Sequence, residues 1–214
     1  VLQIGILAGC FLISLVTIKL GSNKICERSK IILDSEQTFG MSHFLMMGNN
    51  EESGGVFSGN DVVYSSSFAT SKERKKANIE KAFERIRNMG ITGYPHFLAK
   101  KMLTVYNDGT YAWSEEGHFF MTIFPQPNDN IAVFLRNLYY ADGKYYDVFI
   151  TVKQIIWIFI LGAVVVSGWQ KENRKEVLVL MLSIVGLTLF EVLFEARARY
   201  LYTYAPVFCI LASS

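Results

Sequence analysis

VLVLMLSIVGLTLFEVLFEARARYLYTYAP, running from Val177 to Pro206, decides the fold class of this chain. Between Val177 and Phe194 the only ionisable residue is Glu191. A run of that length is about what a helix needs to cross a ~30 Å hydrocarbon core at ~1.5 Å per residue. The next ten residues hold Glu195, Arg197, Arg199, Tyr200, Tyr202 and Tyr204. A charged cluster at the end of a spanning helix is costly unless something holds it. The two halves of this stretch therefore say membrane protein first and candidate site second.

Two other apolar runs agree, one from Val1 to about Leu20 and one from Tyr146 to Trp169. Lys19 closes the first and can snorkel to the interface. Lys153 lies near the start of the second, and Trp169 is placed as an interfacial anchor. A further run begins near Tyr204. The composition is segregated in the same way, with 51% apolar and 19% charged residues. We expect a mainly α protein, with polytopic transmembrane helices and an inserted, mostly helical extracytoplasmic domain. Its parts are a helix over 1–20, a domain over 21–145, a helix over 146–169, a cytoplasmic loop over 170–176, a helix over 177–195, an extracytoplasmic turn over 196–203 and a truncated helix over 204–214. The chain opens and closes inside apolar runs, which reads as a portion of a longer protein. A signal peptide fits the first run poorly, because no basic segment precedes it.

The orientation follows from the short basic loop Gln170–Glu176, which the positive-inside rule places in the cytoplasm. Alternation then puts 21–145 and 196–203 outside, in a plasma membrane. Within 21–145, Thr70-Ser71-Lys72-Glu73 supplies a capping box for a helix from Ser71 to Met89. Ile79, Ala82, Phe83, Ile86 and Met89 follow helical spacing, and Ile79, Phe83 and Ile86 are predicted to be buried. Gly90 stops that helix, and a second opens at Tyr94-Pro95 and runs to about Tyr106. Asn107-Asp108-Gly109 is a turn. Ile131 to Tyr140 is apolar and aromatic enough to lie along a membrane surface.

The net charge of +2 gives no reason to expect nucleic acid. The three cysteines form no disulfide framework. His43, His96 and His118 share no metal-ligand spacing, so they read as structural. No metal residues are assigned and no cofactor is fixed, although a divalent metal stays open. Glu191, Glu195 and Arg199 are spaced four apart and would share a helix face, with Glu195 pairing Arg199. The bland reading is an interfacial charge pair with a tyrosine belt. The functional reading is an anion site, in which Arg197 and Arg199 bind a lipid phosphate through forked donors, flanked by Glu195 and Tyr200. Glu191, inside the span, should face protein or water. Asp61 is a candidate acid, base or metal ligand, against the commoner role of loop cap. Lys100-Lys101 reads as a solvated pair in preference to a head-group contact. Trp113, with Tyr111 and Phe119-Phe120, is either a sugar-stacking surface or a small core.

Several segments resemble bacterial polytopic glycosyltransferases of the GT-C class, in the branch related to protein O-mannosyltransferases. They are Ser42 to Asn49 (SHFLMMGN), Gly54 to Asp61 (GGVFSGND), Arg85 to Gly90 (RIRNMG), Phe97 to Lys101 (FLAKK), and Glu195 to Leu201 (EARARYL) followed by Tyr204-Ala205-Pro206. Their order is similar to the C-terminal portion of such an enzyme. The resemblance implies transfer of a sugar from a polyprenyl-phosphate donor to a surface glycan or protein, in contact with membrane lipid. It also implies that the catalytic carboxylate lies in a loop upstream of Val1, so no catalytic residue is assigned here. The rival from another class is a non-enzymatic membrane protein, either a transporter of lipid-linked sugars or a scaffold for surface-polymer assembly.

Overall fold

The computed structural model describes residues 2–31, 34, 36, 38–116, 129–169 and 175–213. The chain divides into two compact units, 1–39 and 40–214. In the first, helix α1 (Leu2–Arg28) continues past the apolar run that starts it. Ile13, Val16, Ile18 and Leu20 stand exposed along it.

The second unit is mainly helical, with no strand among its described residues. It runs α2 (Met41–Gly48), α3 (Gly59–Ser66), α4 (Ser71–Tyr106), α5 (Trp113–Glu116), α6 (Asn130–Tyr139), α7 (Tyr146–Gly168), α8 (Lys175–Leu193), α9 (Arg199–Tyr202) and α10 (Ala205–Ser213). Residues 170–174 lie outside the described residues, as do His118 and the Phe119-Phe120 pair. Among the described residues, α7 and α8 are long and apolar enough to cross a bilayer. Ile156, Phe159, Leu182 and Leu189 stay exposed on them, as residues facing lipid would. Helix α10 packs along α7 and also meets α8. Val105, Trp157, Leu187, Ala196, Leu201 and Phe208 form the core of the unit. That core joins α4, both spans and the segment after α8.

Local chemistry sets the boundaries. Thr70 caps α4 by accepting from the Glu73 amide at 3.2 Å. Gly90 breaks the helical geometry with φ 70°, a value its missing side chain tolerates. Helical structure resumes directly after it, a few residues before the expected start at Tyr94-Pro95. The expected apolar face of α4 is corrected. Phe83 is 58% exposed, and Ile79 and Ile86 are only half-buried. Ala82, which belongs to the expected face, is buried, and it is joined by the polar residues Arg74 and Asn78. The reason is what α2 and α3 present to it: buried Ser65 donates to Asn78 Oδ1 at 3.0 Å and sits 2.7 Å from His43 Nδ1. Polar groups on α2 and α3 thus draw Asn78 into the interior of the unit, alongside the buried Met46 and Met47 of α2.

Candidate functional site

The site is built around the segment that follows α8. Helix α8 ends at Leu193, so the four-residue spacing of Glu191, Glu195 and Arg199 no longer marks one helix face. Glu195 and Arg199 therefore do not lie on one continuous helix. Glu195 Oε1 accepts from Arg197 Nε at 2.9 Å, and the Arg197 guanidinium lies 5.2 Å from the centre of the Phe57 ring. Both members of the pair are largely buried. The Arg199 guanidinium lies 5.6 Å from the Tyr200 ring centre, and Arg199 lines one cavity together with Glu195.

Backbone contacts thread this segment through the segments that carry the resemblance. The Glu195 amide donates to Phe44 O at 2.9 Å, and the Ala196 amide donates to Gly55 O at 3.0 Å. A Cβ on Gly48 would fall 2.2 Å from the Phe194 carbonyl carbon, so glycine is what lets α2 touch the end of α8. Lys101 is corrected too. It is 1% exposed, not on a solvated face. Its Nζ donates to Gly48 O at 2.7 Å, Phe194 O at 2.6 Å and Val192 O at 3.2 Å. Burial pushes its ammonium down to about 8, against the opposing pull of Glu191 and Glu195. Glu191 is wholly buried, and neither carboxylate oxygen has a hydrogen-bond partner among the described residues.

Asp61 is buried and fully engaged by its neighbours. Its carboxylate is clasped by Arg85, Nη2 to Oδ1 at 2.6 Å and Nη1 to Oδ2 at 3.0 Å. Asn50 Nδ2 also donates to Oδ2 at 3.0 Å. His43 is held below the usual imidazole range, chiefly by burial, with Arg74 adding to the effect and Asp61 opposing it. Among the described residues no three His, Cys, Asp or Glu side chains come together as a metal site.

Among the described residues, cavities of about 600, 350 and 300 Å³ adjoin the segment. The largest, about 600 Å³, is walled by Tyr111, Trp113, Tyr139, Trp157 and Tyr202. Arg199 and Lys153 supply its cationic lining. A second, about 350 Å³, holds Glu195, Arg199 and Tyr200. A third, about 300 Å³, holds Arg197 and Asp108. The structure thus separates the two arginines: Arg199 lines the aromatic cavity and Arg197 does not.

The aromatic wall is fixed by the turn before it. Asp108 Oδ1 accepts from the Thr110 amide at 2.7 Å and from its hydroxyl at 2.6 Å, while Oδ2 accepts from the Ala112 amide. These bonds hold Tyr111 and Ala112 at φ 56° and 63°, a conformation costly for residues with side chains. Tyr111 is thereby set against Trp157 and Tyr202, at ring separations of 5.2 and 5.7 Å. Burial pushes the Tyr111 phenol up to about 12, so it remains a hydrogen-bond donor at neutral pH. Gly109 lets the turn meet α7, since a Cβ there would lie 2.8 Å from Lys153 O and 2.9 Å from Trp157 Cβ. Gly109→Ala is expected to cost about 1–3 kcal/mol by overpacking. It should also alter Trp157 fluorescence; melting and emission spectra that match wild type would contradict this account of the turn.

Tyr139, Lys153, Trp157 and Tyr202 were not among the site residues read from the sequence. Lys153 carried the one usable signal, an ionisable residue inside a spanning run.

These features define a helical membrane protein with an aromatic, cation-lined cavity beside its spans. A family model described as conserved hypothetical integral membrane protein matches residues 1–214, and the chain belongs to that family. No curated protein and no solved structure matches the chain.

Proposed function

We propose that the chain is the donor-binding portion of a plasma-membrane glycosyltransferase that takes a sugar from a polyprenyl phosphate. The acceptor is a surface glycan or protein. The observation that carries this reading is the cavity of about 600 Å³, where aromatic rings and Arg199 face one space. Sugar rings present C–H faces that pack on aromatic faces. A guanidinium offers phosphate a planar fork of donors. Arg199 would also stabilise the charge that collects on the phosphate as it leaves the sugar. In this reading the cavity opens on the extracytoplasmic side, as the basic loop 170–176 implies. The catalytic carboxylate belongs to a loop outside residues 1–214.

The test uses the full-length protein in nanodiscs, with defined polyprenyl-phosphate sugars, donor binding by titration and products by mass spectrometry. Wild type is expected to bind donor and release a glycosylated acceptor. Arg199→Gln should weaken donor binding about tenfold or more, the worth of a charge-assisted contact. The rival is a carrier of lipid-linked sugars or a scaffold, and buried Glu191 inside α8 is the feature that favours carriage. Donor binding without transfer would select the carrier. No donor binding would defeat the enzyme and the carrier alike.

A further inference from the structure

We infer that Lys153 is a second phosphate-binding cation of the aromatic cavity, and that it gives the site a preference for a lipid phosphate monoester over a diester. This rests on reading the cavity as a lipid-phosphate site.

Lys153 is the eighth residue of α7, roughly 10 Å of helical rise from its start. A lysine at such a position can reach toward the nearer interface. This one is instead held in a cage. Its Nζ lies 4.5 Å from the centre of the Phe149 ring, 5.2 Å from Tyr139 and 5.6 Å from Trp113. The three rings come from α7, α6 and α5 and lock one another. Tyr139 meets Trp113 edge-to-face at 4.9 Å, and meets Phe149 in the same way at 4.9 Å. The cage therefore fixes where the charge sits.

It does not satisfy that charge. Ring faces attract a cation but supply no lone pairs for its three N–H groups. Among the described residues the ammonium has no carboxylate within ion-pairing distance and makes no hydrogen bond. An ammonium inside a span needs an acceptor, and the cavity it lines is where one would sit. The rest of the lining is largely apolar, which suits a lipid chain. Arg199 lines the same cavity, so two positive groups face one ligand. A sugar donor on a lipid phosphate is a phosphodiester with one negative charge, whereas the lipid phosphate left after transfer is a monoester carrying about two at neutral pH, so the preference favours the leaving group over the donor. Two cations in a space of low polarity discriminate between them.

The experiment titrates the full chain in phosphatidylcholine nanodiscs with farnesyl phosphate, farnesyl methyl phosphate, farnesol and inorganic phosphate. Wild type should prefer the monoester to the diester by about tenfold, roughly one charge-assisted contact. Lys153→Met should abolish most of that preference and leave farnesol binding unchanged, and Lys153→Arg should restore it. A merely structural lysine would lower farnesol and phosphate binding together. Lys153→Gln replaces Lys153→Met if the latter melts below wild type. An unchanged monoester preference in a folded Lys153→Met protein overturns this inference and leaves the function reading standing. Failure of wild type to bind either farnesyl phosphate overturns both. Inorganic phosphate binding as tightly as farnesyl phosphate would assign the site to free phosphate and overturn the lipid assignment.

Discussion

Asp61→Ala is expected to lower the unfolding free energy by about 3–5 kcal/mol, the cost of breaking one side of a buried ion pair. Asp61 is 2% exposed and ties three helices together. It starts from α3, accepts both forks of Arg85 from α4, and takes a third bond from Asn50 just past α2. Arg85 also donates to Met46 O at 2.8 Å, so it stays anchored when its partner is removed. The variant then holds a half-buried guanidinium with no counter-charge. Asp61→Asn keeps the shape and one acceptor and should cost less. Adding Arg85→Met to Asp61→Ala should recover part of the loss, because it removes the stranded charge. Thermal unfolding in detergent, followed by tryptophan fluorescence, measures all of these. An Asp61→Ala protein that melts with wild type would show that the clasp does not hold α2, α3 and α4.

The same carboxylate shows where a sequence stops being informative. Asp61 after a glycine-rich loop suits a catalytic acid as well as a structural one. Only the approach of Arg85 and Asn50, both distant in the chain, separates the two. Membrane character was legible because an apolar run as long as Tyr146 to Trp169 has few other uses, and the family match agrees with it. The start of α4 and its break at Gly90 were legible because a cap and a glycine act locally. The face that α4 buries was not. Amphipathic reasoning assumes a wholly apolar partner, and α2 and α3 offer His43 and Ser65 beside the buried Met46 and Met47. The shared helix face of Glu191, Glu195 and Arg199 failed for a related reason: spacing sets a face only where the helix continues, and α8 stops at Leu193. Arg199 was found because it follows a span, whereas the cage of Lys153 is assembled by tertiary structure from residues far apart in the chain.

Lys101→Met is expected to have a comparable effect, again about 3–5 kcal/mol, since it takes a buried charge from the groups arranged around it. Lys101 sits where two helices end. Gly48 closes α2, and Val192 and Phe194 bracket the end of α8, so its three bonds satisfy carbonyls that have no partner within their own helices. A positive charge there also opposes the negative ends of both helix dipoles. Methionine fills the space but leaves those carbonyls buried and unpaired. Arginine should not rescue, because Gly55 already brings backbone against the lysine stem: a Cβ there would lie 2.7 Å from Lys101 Cδ. The pH dependence follows from burial, which lowers the folded-state value from 10.5 to about 8. Between those values the unfolded chain keeps the proton that the folded chain has released. Stability contributed by this group therefore rises with pH across that window and is level below it. The gap between wild type and Lys101→Met should widen from about pH 8 toward 10.5. A gap that narrows instead would mean that the three carbonyls hold the proton more strongly than burial expels it, and that the ammonium stays charged throughout.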